Sequence, residues 1–147
     1  SGDSLSAQFA VKHTPAINGG SEKLSNTVRD ITAVGSAGLD LVKNVREVKS
    51  CPSTVADTAA FVKTNTLTKV QNQVSYLEYQ ISYANNSAKK LVDVTLKDAV
   101  PLGTSLKSMC TGNSCSAVSG NTPLNWSIGG GLAPHATGTV GFCVQVQ

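Results

Sequence analysis

The chain reads as an all-β protein, a sandwich of about seven to nine strands with one additional strand at its N-terminus. Three observations predict this. Between residues 77 and 146, short segments alternate apolar and polar residues at period two, the mark of a strand buried on one face. Clusters rich in Asn, Pro and Gly separate those segments at regular spacing, as turns do in a sandwich. The first fourteen residues repeat the alternation and then meet a strong breaker.

In chain order, Leu5, Ala7, Phe9 and Val11 alternate with Ser6, Gln8, Ala10 and Lys12. Pro15-Ala16-Ile17-Asn18-Gly19-Gly20-Ser21 detaches that strand, so residues 1–20 form a strand and hinge and residues 21–147 the sandwich. Residues 24–34 fit neither period well, but Thr27, Val28, Ile31, Thr32 and Val34 are β-branched and favour a strand. After Gly35-Ser36-Ala37-Gly38, Leu39, Leu41 and Val45 alternate against Asp40, Val42 and Arg46, in a run that reaches Cys51 and ends at Pro52-Ser53. Residues 54–63, with Val55, Asp57, Ala59, Ala60 and Val62, allow a short helical turn in a connection. Thr64-Asn65-Thr66 reads as loop.

The strongest strand carries Leu77, Tyr79, Ile81 and Tyr83 and stops at Asn85-Asn86-Ser87. Val92, Val94 and Leu96 then alternate with Asp93, Thr95 and Lys97, and Asp98-Ala99-Val100-Pro101-Leu102-Gly103 turns a corner. Leu124-Asn125-Trp126-Ser127-Ile128 is a further strand, followed by Gly129-Gly130-Gly131-Leu132-Ala133-Pro134. Val140, Phe142, Val144 and Val146 alternate to the end.

At 147 residues the chain has room for one sizeable core. Only 14% of it is charged, and Ser, Thr, Asn, Ala and Gly take the surface places that Lys and Glu usually hold. Such a surface suits β modules packed together outside the cell. Twelve basic and nine acidic residues give +3, spread without a block. Nucleic-acid binding would require a basic stripe with stacking aromatics, which is lacking. No run of eighteen apolar residues forms a membrane span. A start at Ser1 without Met fits a mature product after signal-peptide removal, and a shortened chain would look the same.

Four cysteines, an even number, suit an oxidising compartment. Cys110-Thr111-Gly112-Asn113-Ser114-Cys115 encloses a Gly-Asn turn and reads as a disulfide-stapled hairpin, its spacing matching neither redox nor zinc motifs. Cys51 and Cys143 remain and can pair with each other. Cys143 is out of phase with Val140, Phe142, Val144 and Val146, so it faces away from their core and can equally bond between subunits. Asn85-Asn86-Ser87 and Asn125-Trp126-Ser127 match the glycan-acceptor pattern.

His13 and His135 sit beside turns and read as solvated loop residues. Asp30, Asp40, Asp57, Asp93 and Asp98 form no calcium-loop pattern, and Asp98 reads as a cap on the corner before Pro101. Trp126 reads as a core plug rather than a carbohydrate platform, and the triple glycine beside it as a close backbone approach or a mobile loop. No focused set of catalytic groups, metal ligands or cofactor-binding residues emerges, so an enzyme is not expected.

With these motifs in place, residues 39–147 resemble the bacterial and archaeal surface repeat DUF11, an immunoglobulin-like module. The resemblance rests on Tyr79-Gln80-Ile81-Ser82-Tyr83-Ala84-Asn85, on the corner that runs from Val92 to Leu96 and on through Asp98, Pro101, Gly103 and Thr104, and on Trp126. It continues through Gly131-Leu132-Ala133-Pro134 and Gly138-Thr139-Val140-Gly141-Phe142. It covers about three quarters of the chain and departs at His135, where the module usually has Gly, and in the first 38 residues. It implies an immunoglobulin-like sandwich in an extracellular, envelope or filament protein, and no catalytic residues.

Such a module closes its own sheets, so the extra strand either adds to an edge of its own sandwich or enters a neighbouring subunit. The second choice is β-augmentation, in which main-chain hydrogen bonds pair the strands and Leu5, Ala7, Phe9 and Val11 fill pockets. Repeated head to tail, that contact propagates into a filament of identical subunits unless a ring closes. The leading expectation is therefore a structural subunit of an extracellular filament or pilus, secreted to the cell surface. The alternatives are a monomeric adhesion or carbohydrate-binding module, its ligand unknown, and an envelope component cross-linked through Cys51 or Cys143.

Overall fold

The computed structural model describes residues 3–15, 21–35, 38–70, 72–120 and 123–147, with side chains for 38–63, 72–120 and 123–147. Among these, the regular structure is ten strands and no helix. They are β1 (Asp3–Pro15), β2 (Ser21–Gly35), β3 (Leu39–Val48), β4 (Thr64–Val70), β5 (Ser75–Asn85), β6 (Val94–Asp98), β7 (Thr104–Thr111), β8 (Ser114–Ala117), β9 (Leu124–Ile128) and β10 (Thr137–Val146). All pairings are antiparallel.

One sheet runs β3-β5-β10-β7-β8, and the other runs β1-β2-β6-β9 with β4 also paired to β2. Their inner faces share one core. Leu77, Tyr79 and Ile81 of β5, Val140, Phe142 and Val144 of β10, and Val94, Leu96, Leu124 and Trp126 of β6 and β9 are all buried in it. Phe142 is the hinge of that packing. It stacks on its register partner Tyr79 with centroids 4.7 Å apart, and Trp126 approaches it from the other sheet at 6.3 Å. Trp126 is a core residue, as its strand pattern predicts.

Several local expectations are corrected. Residues 54–63 hold no helical turn; a turn at 54–57 leads into an extended segment that bridges β3 through Val62. Thr64-Asn65-Thr66 begins β4 instead of forming a loop. Val92 is outside its strand and 62% exposed, because Asp93 adopts φ 53° and turns the chain before Val94. At the triple glycine, Gly131 is a close backbone approach: a Cβ there would lie 2.6 Å from the Leu91 carbonyl oxygen, across the Leu91–Leu132 bridge.

The N-terminal strand pairs with β2 of its own chain, from Asp3 opposite Gly35 to Pro15 opposite Glu22. It is therefore the outer strand of its own sheet in this chain, the first of the two placements the sequence allows. The hinge at 16–20 lies outside the described residues.

Candidate functional site

The edge formed by β1 is one candidate site. Leu5 stands opposite Ala33, Ala33 opposite Leu96, and Leu96 opposite Trp126. Ala7, Ile31, Asp98 and Leu124 make the next such row. Leu96, Trp126 and Leu124 are core residues, so these two β1 positions stand in register with core residues of β6 and β9. Phe9 stands at a bulge, where β2 spends both Val28 and Arg29, and Val11 faces Asn26. The side chains of Leu5, Ala7, Phe9 and Val11 are outside the described set.

A second site is the outer face of the β3-β5-β10-β7 sheet. Residues 49–63 cross it as a strap pinned from both sides. Cys51 is disulfide-bonded to Cys143, 92 residues away in sequence. Cys143 does face away from the core, yet it is 1% exposed, because the strap covers it. Arg46 Nε donates to Glu78 Oε2 at 2.7 Å, its Nη1 donates to both the Asp57 and Ala59 carbonyls, and its Nη2 donates to Ser53 Oγ. Its guanidinium carbon lies 4.4 Å from the Phe61 ring centroid. Ser53 Oγ donates to the other oxygen of Glu78.

Asp57 knots the strap. Its carboxylate accepts from the Lys49 N–H at 2.7 Å and the Thr54 N–H at 2.8 Å. The Thr54 amide is the strongest influence holding this carboxyl below its ordinary value, and burial opposes it; the Lys49 amide and the charges of Arg46 and Lys49 add to the lowering. Next to the strap the face lies open, a depression of about 460 Å³ reaching from Asp40 and Val42 to the Gly112-Asn113 turn.

At that turn, Cys110 and Cys115 are cross-strand partners in β7 and β8 and form the expected disulfide. Among the described residues all four cysteines are paired within the chain, which removes the thiols an inter-subunit cross-link would need. No group of three His, Cys, Asp or Glu among the described residues is placed to hold a metal ion. His135 is exposed, in a turn with φ 60°.

The two glycan-acceptor positions separate. Asn125 is exposed on β9 opposite Lys97. Asn85 is 0% exposed and fully used: its amide nitrogen lies within hydrogen-bond distance of the Lys89, Leu132 and Ala133 carbonyls, and its oxygen accepts from the Ser87 N–H and hydroxyl. It organises the loop, and the folded chain has no room for a glycan there.

The third site was not legible as a motif. Lys43 Nζ is paired with Asp98 Oδ2 between the two sheets, and both side chains are 0% exposed. The ammonium lies 5.3 Å from the centroids of Tyr79 and Phe142. Asp98 Oδ1 accepts from the Ala99 N–H at 2.8 Å, so the expected cap exists while the second oxygen turns inward. Burial, with a smaller contribution from the Asp98 charge, pushes the Tyr79 phenol well above its ordinary value, so it stays protonated. A signal was present: Lys43 falls in phase with Leu39, Leu41 and Val45.

No family model, curated protein or solved structure matches this chain. No helix is long and apolar enough to cross a membrane among the described residues.

Proposed function

We propose that the chain is a structural subunit of an extracellular filament, joined head to tail by exchange of the strand containing residues 4–12. The supporting observation is the register of β1: Leu5 and Ala7 stand in line with core residues of β6 and β9, and among the described residues β1 pairs with β2 alone. A neighbour's copy of the same strand satisfies the same ladder, so release of β1 from its own β2 converts an intramolecular pairing into an intermolecular one without new chemistry. Because donor and acceptor surfaces differ, each subunit keeps one of each, and the contact repeats. An immunoglobulin-like module of the DUF11 kind on the cell surface fits this reading, as does a sparsely charged surface held by two disulfides.

Deleting residues 1–14 tests the proposal. The expected product is a chain with an unfilled sheet edge that forms no filaments in electron micrographs, and that a synthetic peptide of residues 1–14 restores to a folded monomer. Normal filaments from the deleted chain would overturn it.

A further inference from the structure

Lys43 occupies a position on β3 that its neighbours in phase fill with apolar side chains, and its Nζ crosses the interior to the end of β6. The stacked rings of Tyr79 and Phe142 wall the amine, each at 5.3 Å. An amine and a carboxyl group are thus held in contact, away from water, between two sheets. We propose that Lys43 and Asp98 are joined by an isopeptide bond, an amide between Nζ and Cγ that forms within the folded chain.

Burial supplies the conditions. An ammonium and a carboxylate do not condense. Removing both charges from water costs several kcal/mol per ion by general estimate, and passing one proton from Nζ to the carboxylate abolishes both. The neutral amine lone pair then attacks Cγ, forming the N–C bond as the carbonyl electrons move onto oxygen. The nitrogen gives up one proton, one carboxyl oxygen leaves with it as water, and the carbonyl re-forms. An amine and an acid become an amide and one water, with no oxidation or reduction.

The remaining groups fit those steps. Asp98 Oδ1, held by the Ala99 N–H, is the oxygen the amide keeps, and Oδ2, facing Nζ, is the one that leaves. The Tyr79 phenol stays protonated and its ring centroid lies 5.3 Å from Nζ, so it is the candidate donor for the oxygen on which charge develops. Fixing the two reactants in contact is worth an effective molarity on the order of 10⁵–10⁸ M in well-oriented intramolecular reactions. The buried setting also slows hydrolysis of the product. The bond would span 55 residues and tie one sheet covalently to the other.

The test is the mass of the intact chain, denatured and with its cysteines reduced. The expected mass is one water below that of the sequence. Digestion with trypsin should leave Lys43 uncleaved and give one branched peptide carrying both Lys43 and Asp98, and Lys43→Met and Asp98→Ala should each restore the full mass whether or not they fold. A wild-type chain at the full sequence mass would overturn the proposal. So would a mass one water low that lacks the branched peptide.

Discussion

Cys143 lies directly across the β10–β7 ladder from Ser108, on the side of the sheet away from Phe142. Counting by twos along β7 would put Ser108 and Cys110 on the core side with Leu106. Lys107 is an extra residue at an irregularity in that ladder, so the faces exchange after it: Met109 joins the core beside Phe142, and Cys110 turns outward. Both disulfides therefore stand on one face.

The two disulfides should differ in worth. In the chain-entropy model, closing 92 residues contributes about 4–5 kcal/mol and closing 5 contributes about 2 kcal/mol, so the Cys51→Ser/Cys143→Ser pair should lower stability more than Cys110→Ser/Cys115→Ser. Denaturant unfolding of the two double variants measures the difference. The first should also release the strap, seen as faster amide exchange at residues 49–63.

The strap should loosen in acid. A carboxyl held below its ordinary value stabilises the fold above that value, 3.8, and the contribution is lost as pH falls through the lower folded value. The amides of Lys49 and Thr54, which donate to Asp57, should therefore lose protection, measured against the intrinsic exchange rate at each pH, at low pH before the sheets unfold. Asp57→Asn should show low protection there without that pH dependence.

Asn85→Ala should cost roughly 2–4 kcal/mol, because it strips the donor shared by three carbonyls and the acceptor for Ser87. Asn85→Asp should cost more, since it aims a negative oxygen at the same carbonyls. Thermal denaturation ranks the two, and equal melting temperatures would contradict the assigned hydrogen bonds.

Gly141→Ala should destabilise by about 1–3 kcal/mol, since its Cβ would come 2.5 Å from the Tyr79 carbonyl oxygen in the middle of the sheet. Gly112→Ala meets nothing within 4 Å and carries only the strain of φ +58°, about 1–2 kcal/mol. Unfolding midpoints of the two variants, with the slope held constant, separate crowding from backbone strain.

The alternation in β5, β9 and β10 was enough by itself to place those strands, their inward residues and Trp126 in the core, because a strand's two faces are set by neighbours two residues apart. The Gly112-Asn113 turn likewise announced the Cys110–Cys115 hairpin. Tertiary structure decided what no local pattern encodes. It covered the outer side of β10 with a strap from 92 residues away, drew Lys43 to Asp98 across 55 residues, and buried Asn85 among carbonyls from a distant loop. Each depends on a second surface arriving from elsewhere in the chain, and period-two reading describes only the first.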